Sequence, residues 1–302
     1  MRSKRIYVEI RIRTEMDKLW SATQTPGLHA KWDLRFSDIQ YLPRSDENAP
    51  QQFLYRTRIG FGLAIHGEGE TVGTSEAAGA RSSALKFSSA DPKSLILSGS
   101  GYWKYHQTAD GIRFLTLYDY QTRFGLLGGL FDHVVFRPLL GWATAWSFDC
   151  LRLWLESGID PALSKFRSLI NFLCRFTLGM AWLYQGAVPK LFFPDTGELE
   201  ILRHSGVLGG HEVVVLKTIG GLEIVFGLLI FMMARQRILF LLNNIVLMVL
   251  LAGVLGQSKL LIAPFNPVSL TIAMLGLGAV GWLASKSLPS ARSCLRTRVE
   301  PA

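Results

Sequence analysis

The chain has 302 residues, 49% of them hydrophobic, with 32 Lys and Arg against 23 Asp and Glu for a net charge of +9. The length suits two domains of about 150 residues each, and the basic surplus gathers beside long apolar runs, which points to a membrane surface rather than to nucleic acid. Cys150, Cys174 and Cys294 are far apart with no CxxC spacing, which excludes a disulfide framework and a cysteine zinc site, so no metal and no cofactor are expected.

The first residues carry charges throughout and do not read as a signal peptide. Residues 4–14 alternate Ile6, Val8, Ile10 and Ile12 with Arg5, Glu9, Arg11 and Arg13, the period of a half-buried strand. A short helix follows over 15–23, and Pro26 opens a second one ending at Trp32. Six strands are predicted in series at 36–42, 52–59, 63–74, 80–88, 95–107 and 112–122, separated by turn-rich stretches. A long amphipathic helix over 129–156 closes this part, with Pro138 expected to bend its beginning.

Four apolar runs, 176–193, 213–234, 238–263 and 268–285, then crowd the last part of the chain. A bilayer takes roughly 20 helical residues to cross and leaves no backbone group free to find water, so each run is predicted to be a membrane helix. Lys165, Arg167 and Arg175 precede the first run, Arg235 and Arg237 lie between the second and third, and Lys286, Arg292, Arg296 and Arg298 follow the fourth. The positive-inside rule then places both termini in the cytoplasm of a multi-pass inner-membrane protein. The domains expected are 1–158, a hinge at 159–167, a membrane domain at 168–288 and a basic cytosolic tail at 289–302.

One strand, two helices, a run of antiparallel strands and a long helix, together with HAKWD (29–33) and SGSGYWKY (98–105), resemble the START-like or SRPBCC superfamily, the polyketide cyclase/dehydrase-like group in particular. WLYQGAVPKLFFPDTGELEIL (182–202), GGLEIVFGLLI (220–230) and APFNPVSL (263–270) look like the DoxX-like family of small four-helix membrane proteins. The fold class expected is therefore an α+β helix-grip domain followed by an all-α bundle of four transmembrane helices. The first resemblance implies a sheet curled around the closing helix and an apolar cavity for lipids, polyketides or other hydrophobic molecules. The name of the second derives from a subunit associated with thiosulfate:quinone oxidoreduction.

Candidate cavity-wall residues are Trp103, Tyr105, Phe114, Tyr118 and Tyr120 on the last two strands, with Trp142 and Trp146 on the closing helix. The alternative for each is that it fills a core. His66, Glu68 and Glu70 share one strand face, either inside a cavity or, as such rows usually are, solvated. No nucleophile–base pair stands out, so catalytic residues are not assigned and binding is favoured over turnover. In the helical part Gly220, Glu223 and Gly227 share one helix face, as do Gly179, Gly186 and Lys190 on another. Pro189 frees the carbonyl of Gln185. A charge in the middle of a membrane helix costs about 2.5–3.5 kcal/mol on insertion scales. Glu223 is therefore expected to have a partner, and Lys190, Glu198 and Glu223 form a candidate intramembrane polar site, the alternative being a structural clamp. His204, His211 and Glu212 in the intervening loop read as solvated, the alternative being a site for a metal or a quinone headgroup. Gly276, Gly278 and Gly281 fit GxGxxG without the flanking strand or acid, and read as a helix-packing surface.

The function expected is a membrane-anchored binder of a lipid or polyketide-like ligand, with the bilayer and a hydrophobic small molecule as partners. The alternatives are a subunit of a membrane redox complex that meets quinone or a redox partner, and a cyclase or hydrolase working in the cavity.

Overall fold

The computed structural model describes residues 5–46, 49–195, 197–204, 206, 208–233, 235–255 and 266–298. They fall into two units, Met1–Ser164 with Leu288–Ala302, and Lys165–Ser287. In the first, β1 (Ile6–Ile12) leads into α1 (Met16–Gln24) and α2 (Pro26–Trp32). There follow β2 (Asp38–Tyr41), β3 (Gln51–Gly60), β4 (Leu63–Ala77), β5 (Ala80–Ser88), β6 (Ile96–Thr108) and β7 (Gly111–Thr122). The seven strands form one antiparallel sheet in the order β1-β7-β6-β5-β4-β3-β2. Each successive strand from β2 to β7 hairpins onto the last, and β1 closes the far edge against β7 with Ile10 opposite Phe114.

The closing helix starts earlier than its apolar pattern suggests. α3 (Gly125–Phe131) passes through a π-turn at Asp132–Phe136 into α4 (Arg137–Ser157). Pro138 sits in the first turn of α4, where its missing N–H is no loss, so the widened turn rather than a kink absorbs it. Gly158, at φ 68°, caps the helix C-terminus in a left-handed conformation that costs glycine little. α4 lies on the inner face of the sheet, where Phe148 stacks on Phe114 with ring centroids 4.4 Å apart. Ile6, Val8, Ile10 and Ile12, the alternating set, are buried in this core.

The described part of the basic tail also belongs to this unit. Glu9 and Leu295 exchange both backbone hydrogen bonds at 2.9 Å, extending the sheet beyond β1. Asp149 on α4 accepts from the Ser290 backbone N–H at 2.7 Å and from the Ser293 hydroxyl at 3.1 Å. Ala291 and Cys294 are buried in the core cluster, where the Cys294 thiol donates to the Ala145 carbonyl. Burial, with Asp149 nearby, pushes that thiol well above the usual range.

α5 (Pro161–Gly186) begins in the last residues of the first unit, continues into the second and ends in a π-turn at Ala187–Phe192; then come α6 (Gly197–His204), α7 (Glu212–Met232), α8 (Ile238–Leu255) and α9 (Pro267–Ala284). The segment expected as a hinge is helical from Pro161 onward. Among the described residues two helices, Glu212–Met232 and Pro267–Ala284, are long and apolar enough to cross a membrane, and Ile238–Ala252 is a shorter apolar stretch. The end of the third predicted run and the start of the PFNP turn, residues 256–265, lie outside the described residues. Asn266 caps α9 by accepting from the Ser269 N–H at 3.0 Å.

Candidate functional site

The inner face of the sheet holds a cavity of about 430 Å³ between β2–β7, the α2–β2 connection and α4, within the usual range for small-molecule sites. It exists because four inward positions on the central strands, Gly67, Gly69, Gly99 and Gly101, carry no side chain. A Cβ on Gly67 would sit 2.2 Å from the Tyr55 ring, on Gly69 2.3 Å from Phe53, and on Gly99 2.4 Å from Phe87. The rings of the neighbouring strands thus lie flat across the glycines and pave the floor, leaving the space above them open. Ile39, Ile65, Leu85, Ile96, Phe136, Leu139, Leu140 and Ala143 add to the apolar wall.

One corner is charged. Asp33 and Arg35 lie in the connection after α2, and the Arg35 guanidinium grips the Asp33 carboxylate at 2.9 Å through Nε and 2.6 Å through Nη2. The His29 Nε2 stands 3.0 Å from Asp33 Oδ2. A carboxylate only accepts, so Nε2 carries the proton and Nδ1 is the bare nitrogen on a ring that lines the cavity. Local bonds fix the loop: Asp33 Oδ1 accepts from the Arg35 N–H at 3.0 Å, the Ser147 hydroxyl of α4 accepts from the Leu34 N–H at 2.9 Å, and the Thr57 hydroxyl of β3 donates to the Arg35 carbonyl. Burial opposes the Asp33 charge, but Arg35 and the His29 hydrogen bond outweigh it and hold the carboxyl well below the usual carboxylate range. Burial likewise lowers His29 despite Asp33, keeping the imidazole neutral. The corner is thus an internally neutralised ion pair with a neutral histidine beside it, framed by Trp32 and Trp103 with centroids 5.0 Å from the His29 ring.

Of the seven aromatic residues chosen from the sequence, Trp103 and Tyr118 line this cavity and the other five do not. Tyr105 is fully buried under α1, its hydroxyl between Thr23 Oγ1 at 2.8 Å and Gln24 Nε2 at 3.0 Å. Phe114 is sandwiched between Tyr105 and Phe148. Tyr120 donates to Asp132 at 2.6 Å beneath the Arg137 guanidinium. Trp146 is in the core cluster, and Trp142, roughly a third of a turn from the lining face of α4, is 43% exposed. Strand alternation identifies the inner face, but α1 and α4 fill its β1–β7 side and leave the cavity over β3–β6. His66 and Glu68 are exposed on the outer face, and Glu70 meets Lys86 there at 3.8 Å.

In the helical unit Lys190 Nζ lies 2.9 Å from Glu223 Oε2, 2.9 Å from Glu198 Oε2 and 3.3 Å from the Gln185 carbonyl. The last contact takes up the acceptor that Pro189 leaves without a helical partner. Glu223 Oε2 is off the hydrogen-bonding line despite its closeness. Two glycine faces bring these groups together: a Cβ on Gly186 would meet the Gly220 carbonyl at 2.4 Å, and one on Gly220 the Gly186 carbonyl at 2.7 Å. Lower on the same pair, Gly227 faces the Gly179 carbonyl and Gly179 the Phe231 ring.

Polar clamps that carry no periodic signal complete the unit. Arg175, only 4% exposed, donates to Asn171 and to the carbonyls of Ile230 and Gln236 and lies over the Phe240 ring. Trp182 donates to Asn243 at 2.8 Å. Gly278 and Gly281 give space to Asn244 and Phe240, as expected of a packing surface, whereas Gly276 has nothing within 4 Å of an added Cβ. Among the described residues no cluster of His, Cys, Asp and Glu suits a metal ion.

Residues 179–279 match the DoxX-like family. A Bacillus subtilis (strain 168) relative, "Uncharacterized membrane protein YndG", is 53% identical over 204 residues, 67% of this chain and 75% of its own. The chain belongs to the family of that membrane protein, and its helical unit is a DoxX-like domain. For the first unit, similar solved structures include a START superfamily protein from Mycobacterium smegmatis (11% identity, 52% of this chain and 100% of that one, TM-score 0.38). A STAR-related lipid transfer protein from Xanthomonas axonopodis is also similar (14%, 49% and 84%, TM-score 0.36). The helix-grip architecture itself rests on the strand order and on α4 across the inner face.

Proposed function

We propose that the protein is a membrane-anchored binder of a hydrophobic ligand that carries one polar group. The helical unit crosses the bilayer four times with both termini cytoplasmic, and the ligand occupies the cavity of the first unit. The observation that carries this reading is the cavity itself: apolar rings and aliphatic side chains around about 430 Å³, with a charged corner at His29, Asp33 and Arg35 and the exposed Arg58 at its edge. Such a wall favours an apolar body, and the corner offers a guanidinium edge and an imidazole nitrogen to orient one polar head. Tethering beside the bilayer raises the local concentration of a lipid-soluble ligand. Lys165 and Arg167 near the start of α5, Arg235 and Arg237 after α7, and Lys286 and Arg292 after α9 support the orientation.

A second reading draws on one observation, the neutral His29 held by Asp33 in an apolar cavity, a pairing that also suits a general base. The two are separated by purifying the full chain in mild detergent and identifying retained small molecules by mass spectrometry, alongside Ala143→Trp, which fills the cavity. A hydrophobic molecule held by the wild type and lost from the variant supports binding. A chemically altered molecule released by the wild type and not by His29→Gln supports catalysis. Quinone and a redox protein retained equally by wild type and Ala143→Trp would instead favour a membrane redox subunit and overturn the proposal.

A further inference from the structure

Two stretches at the edge of this cavity present large apolar side chains to solvent. The tip of the β3–β4 hairpin holds Phe61 fully exposed, at 105% of its reference area, with Ile59 at 60% and Leu63 at 55% beside it. Phe61 has φ 50°, between Gly60 at 104° and Gly62 at 76°. A bulky side chain in the left-handed region is costly, and this one is left fully exposed there. On the other side, α3 exposes Leu126 at 89%, Leu127 at 78% and Leu130 at 61%. Both stretches adjoin the cavity, since Arg58 and Ile59 from the first and Phe136 and Leu139 beyond the second line it.

The chemistry of the surroundings narrows what covers them. Residues 51–63 contain no acid, and the only acid in 124–142 is Asp132, which is buried and paired with Arg137. Arg56 and Arg58 flank the hairpin tip on exposed positions. Leucine and phenylalanine at the tip with arginines just behind is the composition of an interfacial membrane contact, the rings and aliphatic chains entering the acyl boundary and the guanidinium groups meeting anionic headgroups. The same chain carries apolar helices of bilayer length, so the first unit is tethered to any bilayer those helices enter.

We propose that the rim made by Phe61 with its hairpin neighbours and by Leu126, Leu127 and Leu130 inserts into an anionic lipid bilayer. The cavity edge between them then meets the acyl layer, and a hydrophobic ligand passes between lipid and cavity without entering bulk water. This goes beyond ligand binding and holds whatever the ligand is.

The test uses the full chain reconstituted in nanodiscs of phosphatidylethanolamine and phosphatidylglycerol. Phe61→Cys, Leu127→Cys and, on the exposed outer face of β6, Lys104→Cys are each labelled with nitrobenzoxadiazole. The three native cysteines are buried, and wild-type labelling is subtracted. All three positions are exposed, and circular dichroism checks that each variant is folded. With acyl-brominated lipids, quenching at Phe61→Cys and Leu127→Cys is expected to be several-fold greater than at Lys104→Cys, and to weaken when phosphatidylglycerol is omitted. Quenching no greater than at Lys104→Cys overturns the proposal. So does a blue-shifted, concentration-dependent emission without bromine quenching, which would place a second copy of the chain on the rim. Neither outcome depends on whether the cavity holds a ligand, so the proposal stands or falls separately from the binding reading.

Discussion

Replacing Arg35 by Met tests the charged corner most sharply. Asp33 has no solvent exposure and Arg35 supplies two of its hydrogen bonds. Removing the guanidinium leaves a buried carboxylate with only His29 and the backbone N–H at position 35 to satisfy it, a loss of about 3–5 kcal/mol for broken buried pairs. For a unit of this size that is roughly 6–20 °C in Tm. The pH dependence is expected to reverse as well. In the wild type His29 is lowered by burial, so the unfolded chain takes up the proton first and stability falls as pH drops through about 6.5, the unfolded value. Asp33, held low, adds stability that is complete above about 4 and lost only below it. Without Arg35 the buried carboxyl either binds a proton itself or raises His29. Both changes lift a folded-state pKa above its unfolded value, so stability is gained as pH falls from 8 to 5. The assay is thermal unfolding of the full chain in mild detergent, followed by tryptophan emission, since Trp32 and Trp103 flank His29. Asp33→Asn combined with Arg35→Met should recover most of the loss and restore the wild-type direction of the pH dependence, because His29 is still lowered by burial. A single-variant loss under about 1 kcal/mol with the wild-type pH slope would refute the assignment.

Three further outcomes follow from the packing. Lys190→Met and Glu223→Gln should each destabilise the solubilised chain more than the two changes together, as read by denaturation midpoints, because each alone strands a charge; additive effects would separate the pair. Gly220→Val should cost at least about 1–3 kcal/mol through its clash with the Gly186 carbonyl. Gly221→Ala, with nothing within 4 Å of its added carbon, should be tolerated; equal effects on thermal stability would refute the close approach. Deleting residues 290–302 should destabilise the first unit, by on the order of 2 kcal/mol for the two Asp149 hydrogen bonds alone; an unchanged midpoint would show the tail to be dispensable.

What could be read from the chain depended on periodicity. The Ile6-to-Ile12 alternation identifies β1 and its buried face, and the apolar runs identify α7 and α9. The glycine faces around Lys190 and Glu223 could be read because helical spacing relates their members within each helix. The cavity wall was misplaced because alternation tells which face of a strand is inward, not which part of that face a helix will cover. The signal for the open part was present in Gly67, Gly69, Gly99 and Gly101, pairs at spacing two where a core would need side chains. Asp33 and Arg35 sit in a turn, and their partnership depends on a local carboxylate–backbone bond rather than on any repeat. Arg175 counted among the basic residues marking a cytoplasmic edge, yet its side chain turns inward to carbonyls distant in sequence. The tail bridge at Leu295 could not be anticipated, since its partner Glu9 lies at the opposite end of the chain.

The central claim, that the first unit holds a hydrophobic ligand, is tested most directly by photocrosslinking the full chain with a diazirine-bearing palmitic acid and mapping the adducts by peptide mass spectrometry. The account expects adducts in the cavity lining at 53–59, 101–103 and 136–143, lost on Ala143→Trp while adducts on the lipid-facing helices persist. Adducts confined to 165–287, unaffected by that substitution, would contradict it.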